Sequence, residues 1–299
     1  MANAFVEYFN NIGRIFTEKN AWYRIFTFCV ILGIYQFSLI SVRQTLKNSL
    51  NGIPASLNIP LLILMLLCAV LVFGYRLLIF SNRMNKQDNL VPKIDFLQMF
   101  TVGLKSIPFY IVWAIYYMIL SLVLGIVVGI FIVLLVLLLF AMHLSQNVTF
   151  VLLMIILTPI AMLIVGPWFG VVAVFSKDFS YKKALNPSLY FRLLPKIATK
   201  ILGAFLGNII PILVLLILGV KFYQPVSMMY LSLQPEMQFT SLIAIVLLLS
   251  YIVQIFQFAF NCTVADITSE AIKDGADTPD DNIRTNNTVV DIEYENKDE

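Results

Sequence analysis

Four polar side chains stand out in an otherwise apolar stretch of the sequence: Ser250, Gln254, Gln257 and Asn261. Their spacing of i, i+4, i+7 and i+11 puts them within roughly 60° of one another on a helix, a continuous polar stripe. Amide and hydroxyl groups cannot face lipid tails without a large desolvation cost, so this face must meet another helix or water. Such a stripe could line a polar path or a small-molecule pocket. It could equally supply interhelical hydrogen bonds, worth roughly 0.6 kcal/mol each on average. No charge accompanies the stripe, which favours interhelical bonding.

Other chemistry is sparse. His143 is the only histidine, and no cluster of carboxylates or thiolates stands near it in sequence to complete a metal site. The thiols Cys29, Cys68 and Cys262 all lie in apolar runs, without a C-x-x-C spacing, and read as small buried hydrophobes. Ionisable residues are nearly absent from the apolar runs; Arg76 and Asp266 stand near run ends, where a side chain can reach the interface. A proton relay usually needs an intramembrane acid or base, and a membrane hydrolase or acyltransferase needs a nucleophile with its base. The glycines form no phosphate-cradling loop. The expectation is a protein without catalytic residues, cofactor or metal.

The elements that carry these residues are set by composition. Of 299 residues 60% are hydrophobic and 12% charged, with a mean hydropathy of +0.88. A soluble domain is closer to half apolar and a quarter charged. The apolar runs predict an all-α, polytopic transmembrane bundle of six spans: about 21–40, 59–80, 107–142, 148–175, 201–220 and 241–264. The third is long for one crossing and is expected to be tilted or broken near Gly125–Gly129. Pro159 and Pro167 are expected to kink the fourth, and Pro195 to interrupt the helix before the fifth. Counting Lys and Arg by loop gives 17 on one side and 3 on the other. By the positive-inside rule both termini are cytoplasmic, which agrees with an even number of spans.

Two segments are expected to lie in the interface as short amphipathic helices on the cytoplasmic side. In 1–21 the apolar residues Phe5, Phe9, Ile12 and Phe16 recur at helical spacing. In 93–107 the stripe is Phe96, Leu97, Phe100, Leu104 and Ile107, opposite Asp95, Gln98 and Lys105. Residues 1–265 form the membrane domain, with 17 Lys/Arg against 6 Asp/Glu; residues 266–299 hold 3 against 11 and read as an acidic disordered tail. The basic excess of the body suits an anionic cytoplasmic leaflet, so nucleic acid need not be invoked. The tail could serve a protein partner.

The loops after the second and fourth runs echo each other. At an offset of 95, residues 80–105 match 175–200 at six positions, among them Phe80/Phe175, Pro92/Pro187 and Lys105/Lys200. A parallel repeat of 59–142 and 148–220 is therefore plausible. The first loop, with Gly74, Tyr75, Arg76, Pro92, Asp95, Phe96, Gly103 and Lys105, resembles the characteristic segment of a bacterial and archaeal membrane family, domain of unknown function 4013. The glycine expected before the Leu-Pro-like step is absent here. The resemblance implies a multi-pass protein of a prokaryotic cytoplasmic membrane and implies no activity.

Small-xxx-small pairs at Gly125/Gly129, Gly166/Gly170 and Gly203/Gly207 permit close helix approach and would give a tight central unit of spans three to five. Taken together, the expected function is a membrane organiser that holds lipid or partner proteins at the cytoplasmic face. The rival is a transporter or channel-like subunit using the stripe Ser250 to Asn261.

Overall fold

A computed structural model describes residues 1–51, 58–87, 89–141, 146–231 and 235–273. Every element among these residues is a helix: α1 (Ala2–Thr17), α2 (Ala21–Leu50), α3 (Ile59–Met84), α4 (Phe96–Ala141), α5 (Gln146–Asp178), α6 (Tyr181–Ala184), α7 (Pro187–Leu231) and α8 (Pro235–Lys273). With no water in a bilayer core to satisfy backbone groups, helices are one of two ways to cross it. Among the described residues, five helices are long and apolar enough to do so: Ala21–Leu50, Ile59–Met84, Phe96–Leu120, Pro187–Leu215 and Ala244–Lys273. The protein is thus all-helical, of multi-pass membrane character. The run expected around 148–175 falls in α5.

The helices outrun the apolar stretches that announce them. α4 begins at Phe96, before the apolar run, and its 46 residues span about 69 Å at 1.5 Å per residue. It continues through Pro108 and past Gly125 and Gly129 without a break. α7 runs 45 residues from Pro187 through Pro195, so the expected interruption at Pro195 is corrected. A proline deletes one donor and crowds the carbonyl four residues back, yet the exposed Pro195 does not end α7, because Leu193 and Ile197 on either side of it are buried against Gly170 of α5 and hold the helix in place.

Capping explains where these helices start. Asn58 accepts from the Leu61 N–H (3.1 Å) ahead of α3. Asp95 Oδ1 accepts from the N–H groups of Leu97 (3.0 Å) and Gln98 (3.1 Å) at the head of α4. Asn186 Oδ1 accepts from Ser188 N–H (3.0 Å) at the head of α7. Each satisfies a donor that a helix N-terminus leaves without a partner.

Two helical hairpins, α3–α4 and α5–α7, make up the centre, with α2, α8 and α1 packed around them. The core of the first side is the ring cluster Phe28, Tyr75 and Phe258, with Phe28 and Tyr75 stacked at 4.9 Å. The second side stacks Phe109 on Phe175 at 4.2 Å and on Trp168 at 5.6 Å. The N-terminal helix, the α3–α4 loop, the α5–α7 loop and the end of α8 gather at one end. Asn85 Nδ2 donates to Lys177 O (3.0 Å), Tyr181 Oη to Lys105 O (2.5 Å), and Arg83 pairs with Asp266 (2.6 Å). His143 and the tail beyond Lys273 lie outside the described residues.

Candidate functional site

The α3–α4 loop is held by a buried ion pair. Glu18 and Arg24 meet at 2.9 Å, with only 10% and 11% of their side chains exposed. Glu18 Oε2 also accepts from the N–H groups of Leu90 (2.8 Å) and Val91 (3.1 Å), while Arg24 Nη1 donates to Val91 O (2.6 Å). Tyr75 Oη donates to Pro92 O at 2.9 Å. The loop backbone therefore has its polar groups paired by side chains from α2, α3 and the segment before α2. Sequence reasoning picked out Tyr75, Pro92 and Asp95 but missed Glu18 and Arg24, whose partners are 67 to 73 residues away.

Gly74 and Gly103 are where α3 and α4 touch. A Cβ on Gly74 would sit 2.8 Å from the Met99 carbonyl carbon, and one on Gly103 would sit 2.7 Å from Val70 Cγ1 and 2.9 Å from its carbonyl carbon. Only glycine permits this backbone approach. Phe96 and Lys105 point outward, with Phe96 56% exposed. Of the apolar stripe, Leu97, Leu104 and Ile107 are likewise exposed and Phe100 is half-buried, while Met99 and Val102, outside the stripe, are buried. From the Gly74 crossing, α4 passes to the end of α5 by Phe109, and Trp113 Nε1 donates to Ala184 O (2.9 Å) in α6.

The remaining glycine pairs have different neighbours. Gly166 and Gly170 receive Ile201, Ile197 and Leu193 of α7. Gly203 faces Met1 and Gly207 faces the Tyr8 ring, so this pair of α7 receives α1. Gly129 has open space around it, and the surroundings of Gly125 lie outside what is described.

α1 is docked on protein by one face and exposes the other. Ala4, Tyr8, Asn11 and Ile15 are buried, while Val6, Phe9 and Phe16 are exposed. Tyr8 Oη donates to Asn208 Oδ1 (3.1 Å), and burial pushes the Tyr8 phenol well above its ordinary range. Asn11 Nδ2 donates to Thr263 Oγ1 (3.1 Å) and reaches Asp266 Oδ2 (3.4 Å).

Around this joint lies a charged basin of about 740 Å³, built by α1, α8, α7 and the end of α3. Its cations are Arg14, Arg83, Lys86, Lys200 and Lys273; its carboxylates are Glu7, Asp266 and Glu270. The carboxylates are engaged: Asp266 and Glu7 with Arg83 (2.6 and 3.9 Å), Glu270 with Lys200 (3.3 Å). Lys86 and Lys273 face each other without a carboxylate within ion-pair distance among the described residues. The ammonium of Lys273 beside it holds Lys86 below the usual lysine range. Two like charges left together at the mouth of a basin make a place for an anion. The backbone underlines it, since Lys86 sits at φ 54°, a left-handed conformation costly for a residue with a Cβ.

Within the bundle, the stripe on α8 is partly inward. Gln254 and Asn261 are buried, Ser250 and Gln257 half-buried. Gln257 Nε2 reaches Asn261 Oδ1 at 3.4 Å, and Gln254 Oε1 is buried with no hydrogen-bond partner among the described residues. An apolar groove of about 960 Å³ opens between α3, α4 and α5, lined among others by Phe73, Tyr110, Trp113, Tyr117 and Trp168. Beside it Arg76 is half-buried, and its Nε has no hydrogen-bond partner among the described residues. A central charge in a spanning helix costs about 2.5–3.5 kcal/mol on insertion scales, less where it can snorkel.

No group of three His, Cys, Asp or Glu side chains among the described residues could hold a metal ion. The three cysteines are free and buried. Comparison of the chain with protein-family models, with curated proteins and with solved structures gave no match.

Proposed function

We propose that this chain is a non-enzymatic organiser in a prokaryotic cytoplasmic membrane, which uses its charged end to hold acidic lipid headgroups of the cytoplasmic leaflet. The observation that carries this reading is the basin, where Glu7, Asp266 and Glu270 are paired and Lys86 and Lys273 stand together without a carboxylate among the described residues. In the proposed topology α2, α3, α4, α5, α7 and α8 are the six spans, and the end bearing α1 and both hairpin loops is cytoplasmic. The 17-to-3 division of Lys and Arg supports it. Exposed Phe9 and Phe16 on α1, and Leu97 and Leu104 on α4, would rest at the lipid interface. Membership of the 4013 family is part of the proposal and rests on the motif from Gly74 to Lys105. The acidic segment after Lys273 is proposed as a site for a protein partner.

Acylation of Lys86 tests the basin. Only a neutral amine reacts, and Lys273 keeps more of Lys86 neutral than an ordinary lysine. An anion bound between them offsets that repulsion. In vesicles of acidic lipid, modification of Lys86 near pH 9 should slow several-fold relative to zwitterionic vesicles. Equal rates in both would end the reading. Reporter fusions after Asn85 and Lys183 should report the cytoplasm, and those after Asn51, Asn147 and Tyr230 the exterior; a reversal at any of them overturns the topology.

A second reading, a transporter or channel-like subunit, draws on the Gln254 carbonyl, which has no partner among the described residues. If the stripe lines a wet path, cysteines at 254, 257 and 261 should label with water-soluble thiol reagents, and those at 255 and 258 should not. Protection at all three stripe positions sinks it.

A further inference from the structure

We infer that Arg76 and the adjacent groove form a binding site for one anionic membrane phospholipid, its phosphate on the Arg76 guanidinium and an acyl chain along the aromatic wall between α3, α4 and α5. This rests on the membrane reading above but not on the basin.

Arg76 supplies the first argument. It is the one charged side chain in the apolar part of α3, from Leu61 to Phe80. It makes no ion pair among the described residues, and its Nε is buried without a hydrogen-bond partner. Its electrostatic neighbours are the phenols of Tyr110 and Tyr35, which can hydrogen-bond but cannot neutralise it. A cation at this level of a spanning helix calls for an anion, and a guanidinium fork suits the oxygens of a phosphate.

The groove supplies the second. Phe73 lies one turn before Arg76 on α3, and Tyr110, which lies near Arg76, packs on Phe73 with ring centroids 5.7 Å apart. Both residues line the groove, so one of its wall residues, Tyr110, is also an electrostatic neighbour of the guanidinium. Its volume of about 960 Å³ lies at the upper end of the roughly 300–1,000 Å³ usual for ligand pockets. Its lining is almost wholly carbon, with Ser106 the one hydroxyl besides the two tyrosines. That chemistry accepts an alkyl chain and refuses a polar solute.

Depth supplies the third. Tyr75, the residue before Arg76, donates to Pro92 O in the loop at the polar end. Side chains at this level of α3 therefore still reach the headgroup region, and an arginine can snorkel to it. A lipid with its phosphate at the interface and its chain in the hydrocarbon satisfies both halves of the site at once.

Two of the chain's three tryptophans, Trp113 and Trp168, line the groove, and they report on it directly. The full chain carrying Trp22→Phe is reconstituted in vesicles containing a small fraction of lipid with brominated acyl chains, either acidic or zwitterionic. Acidic brominated lipid should quench at least threefold more effectively at equal mole fraction. Arg76→Gln should bring that ratio to one, and Arg76→Lys should keep part of it. Ala69→Leu with Ala114→Leu, which fills the groove with Arg76 intact, should reduce quenching by both lipids. Equal quenching by the two lipids in the parent, or an unchanged ratio in Arg76→Gln, overturns the site. So does unchanged quenching in the filled groove. Loss of the preference on adding millimolar inorganic phosphate would assign Arg76 to a soluble anion and overturn the lipid. Lys86→Gln with Lys273→Gln must leave the ratio unaltered; a fall there would transfer the preference to the basin.

Discussion

The two central hairpins share a plan and differ in what holds them. In α3–α4 the helices meet backbone to backbone at Gly74 and Gly103, and the loop is tied by the Glu18–Arg24 pair and Tyr75. In α5–α7 the glycines receive side-chain ends, and the loop is tied by Trp113 and Tyr181 onto α4. The first joint therefore tolerates little change, because neither a carbonyl nor a buried charge has anywhere to move. The second can give, because methyl groups can rotate away.

The largest effect separates the ties of the two loops. Glu18→Ala leaves Arg24 and the N–H groups of Leu90 and Val91 without their partner in a largely buried place. Breaking such a pair from one side costs about 3–5 kcal/mol. Thermal unfolding in detergent should show Glu18→Ala far below the parent. Asn85→Ala, which loses the exposed bond to Lys177 O between the loops and a longer one to Ser81 Oγ (3.3 Å), should cost about 0.5–1.5 kcal/mol. Similar losses in the two variants would contradict the assigned difference.

The glycines come next. Gly74→Ala drives a methyl into the Met99 carbonyl, which is helix backbone, and should cost about 3 kcal/mol. At Gly170 the nearest atom is Ile197 Cδ1, the far end of a flexible side chain, and about 1 kcal/mol is expected. At Gly166 the nearest atom is at 3.4 Å, so alanine should be nearly neutral. The ranking Gly74, Gly170, Gly166 by unfolding temperature is the check; any other order breaks the comparison.

These ranks also mark what was legible in the sequence. The helical, membrane character follows from apolar runs, whereas Asp95 stands out only as part of the loop motif and its role as the cap of α4 comes from the structure. That Gly74 and Gly103 matter is visible as a motif, but their reason is a crossing of helices that no local pattern encodes. Glu18 and Arg24 look like ordinary charges before a span, because their partners are loop backbone far along the chain. The same holds for Gly203 and Gly207: their spacing announces a close approach without saying that the visitor is α1 rather than another span. Pro195 misled in the opposite direction, since a local rule gave way to the packing of Leu193 and Ile197, on either side of it, against Gly170 of α5.

A smaller effect concerns the tie from α4 to the second loop. Trp113→Phe keeps most of the ring contact with Trp168 but removes the donor to Ala184 O. A buried carbonyl left without its partner costs about 1–3 kcal/mol. Unfolding should move accordingly, by less than for Glu18→Ala, and the Gly74 crossing should be untouched. Additivity of Trp113→Phe with Gly166→Ala, on the face of α5 that meets Ile201 of α7, would show that the joints are independent.

The smallest effect runs the other way. Both α3 and α5 stop with a left-handed residue that is not glycine: Lys86 at φ 54° and Phe179 at φ 52°. After α3, Lys86 N–H returns to Arg83 O (3.1 Å) and Gln87 N–H to Asn82 O (2.9 Å), the paired bonds of a Schellman stop. After α5, Phe179 N–H returns to Phe175 O (2.8 Å). Glycine would relieve about 1 kcal/mol of strain at either place. At Phe179 that gain is offset, because the ring packs edge-on against Phe175 at 5.8 Å and would be lost. Lys86 is exposed and packs nothing comparable, so Lys86→Gly should raise the unfolding free energy by about 1 kcal/mol. The same substitution removes a basin cation. It should therefore weaken the gain in thermal stability that the chain draws from acidic lipid, while Phe179→Gly leaves that gain intact. A Lys86→Gly protein that is both more stable in neutral detergent and less responsive to acidic lipid would mean that the strained lysine is kept for its charge. A stabilised protein with an unaltered lipid response would mean that the basin does not need it.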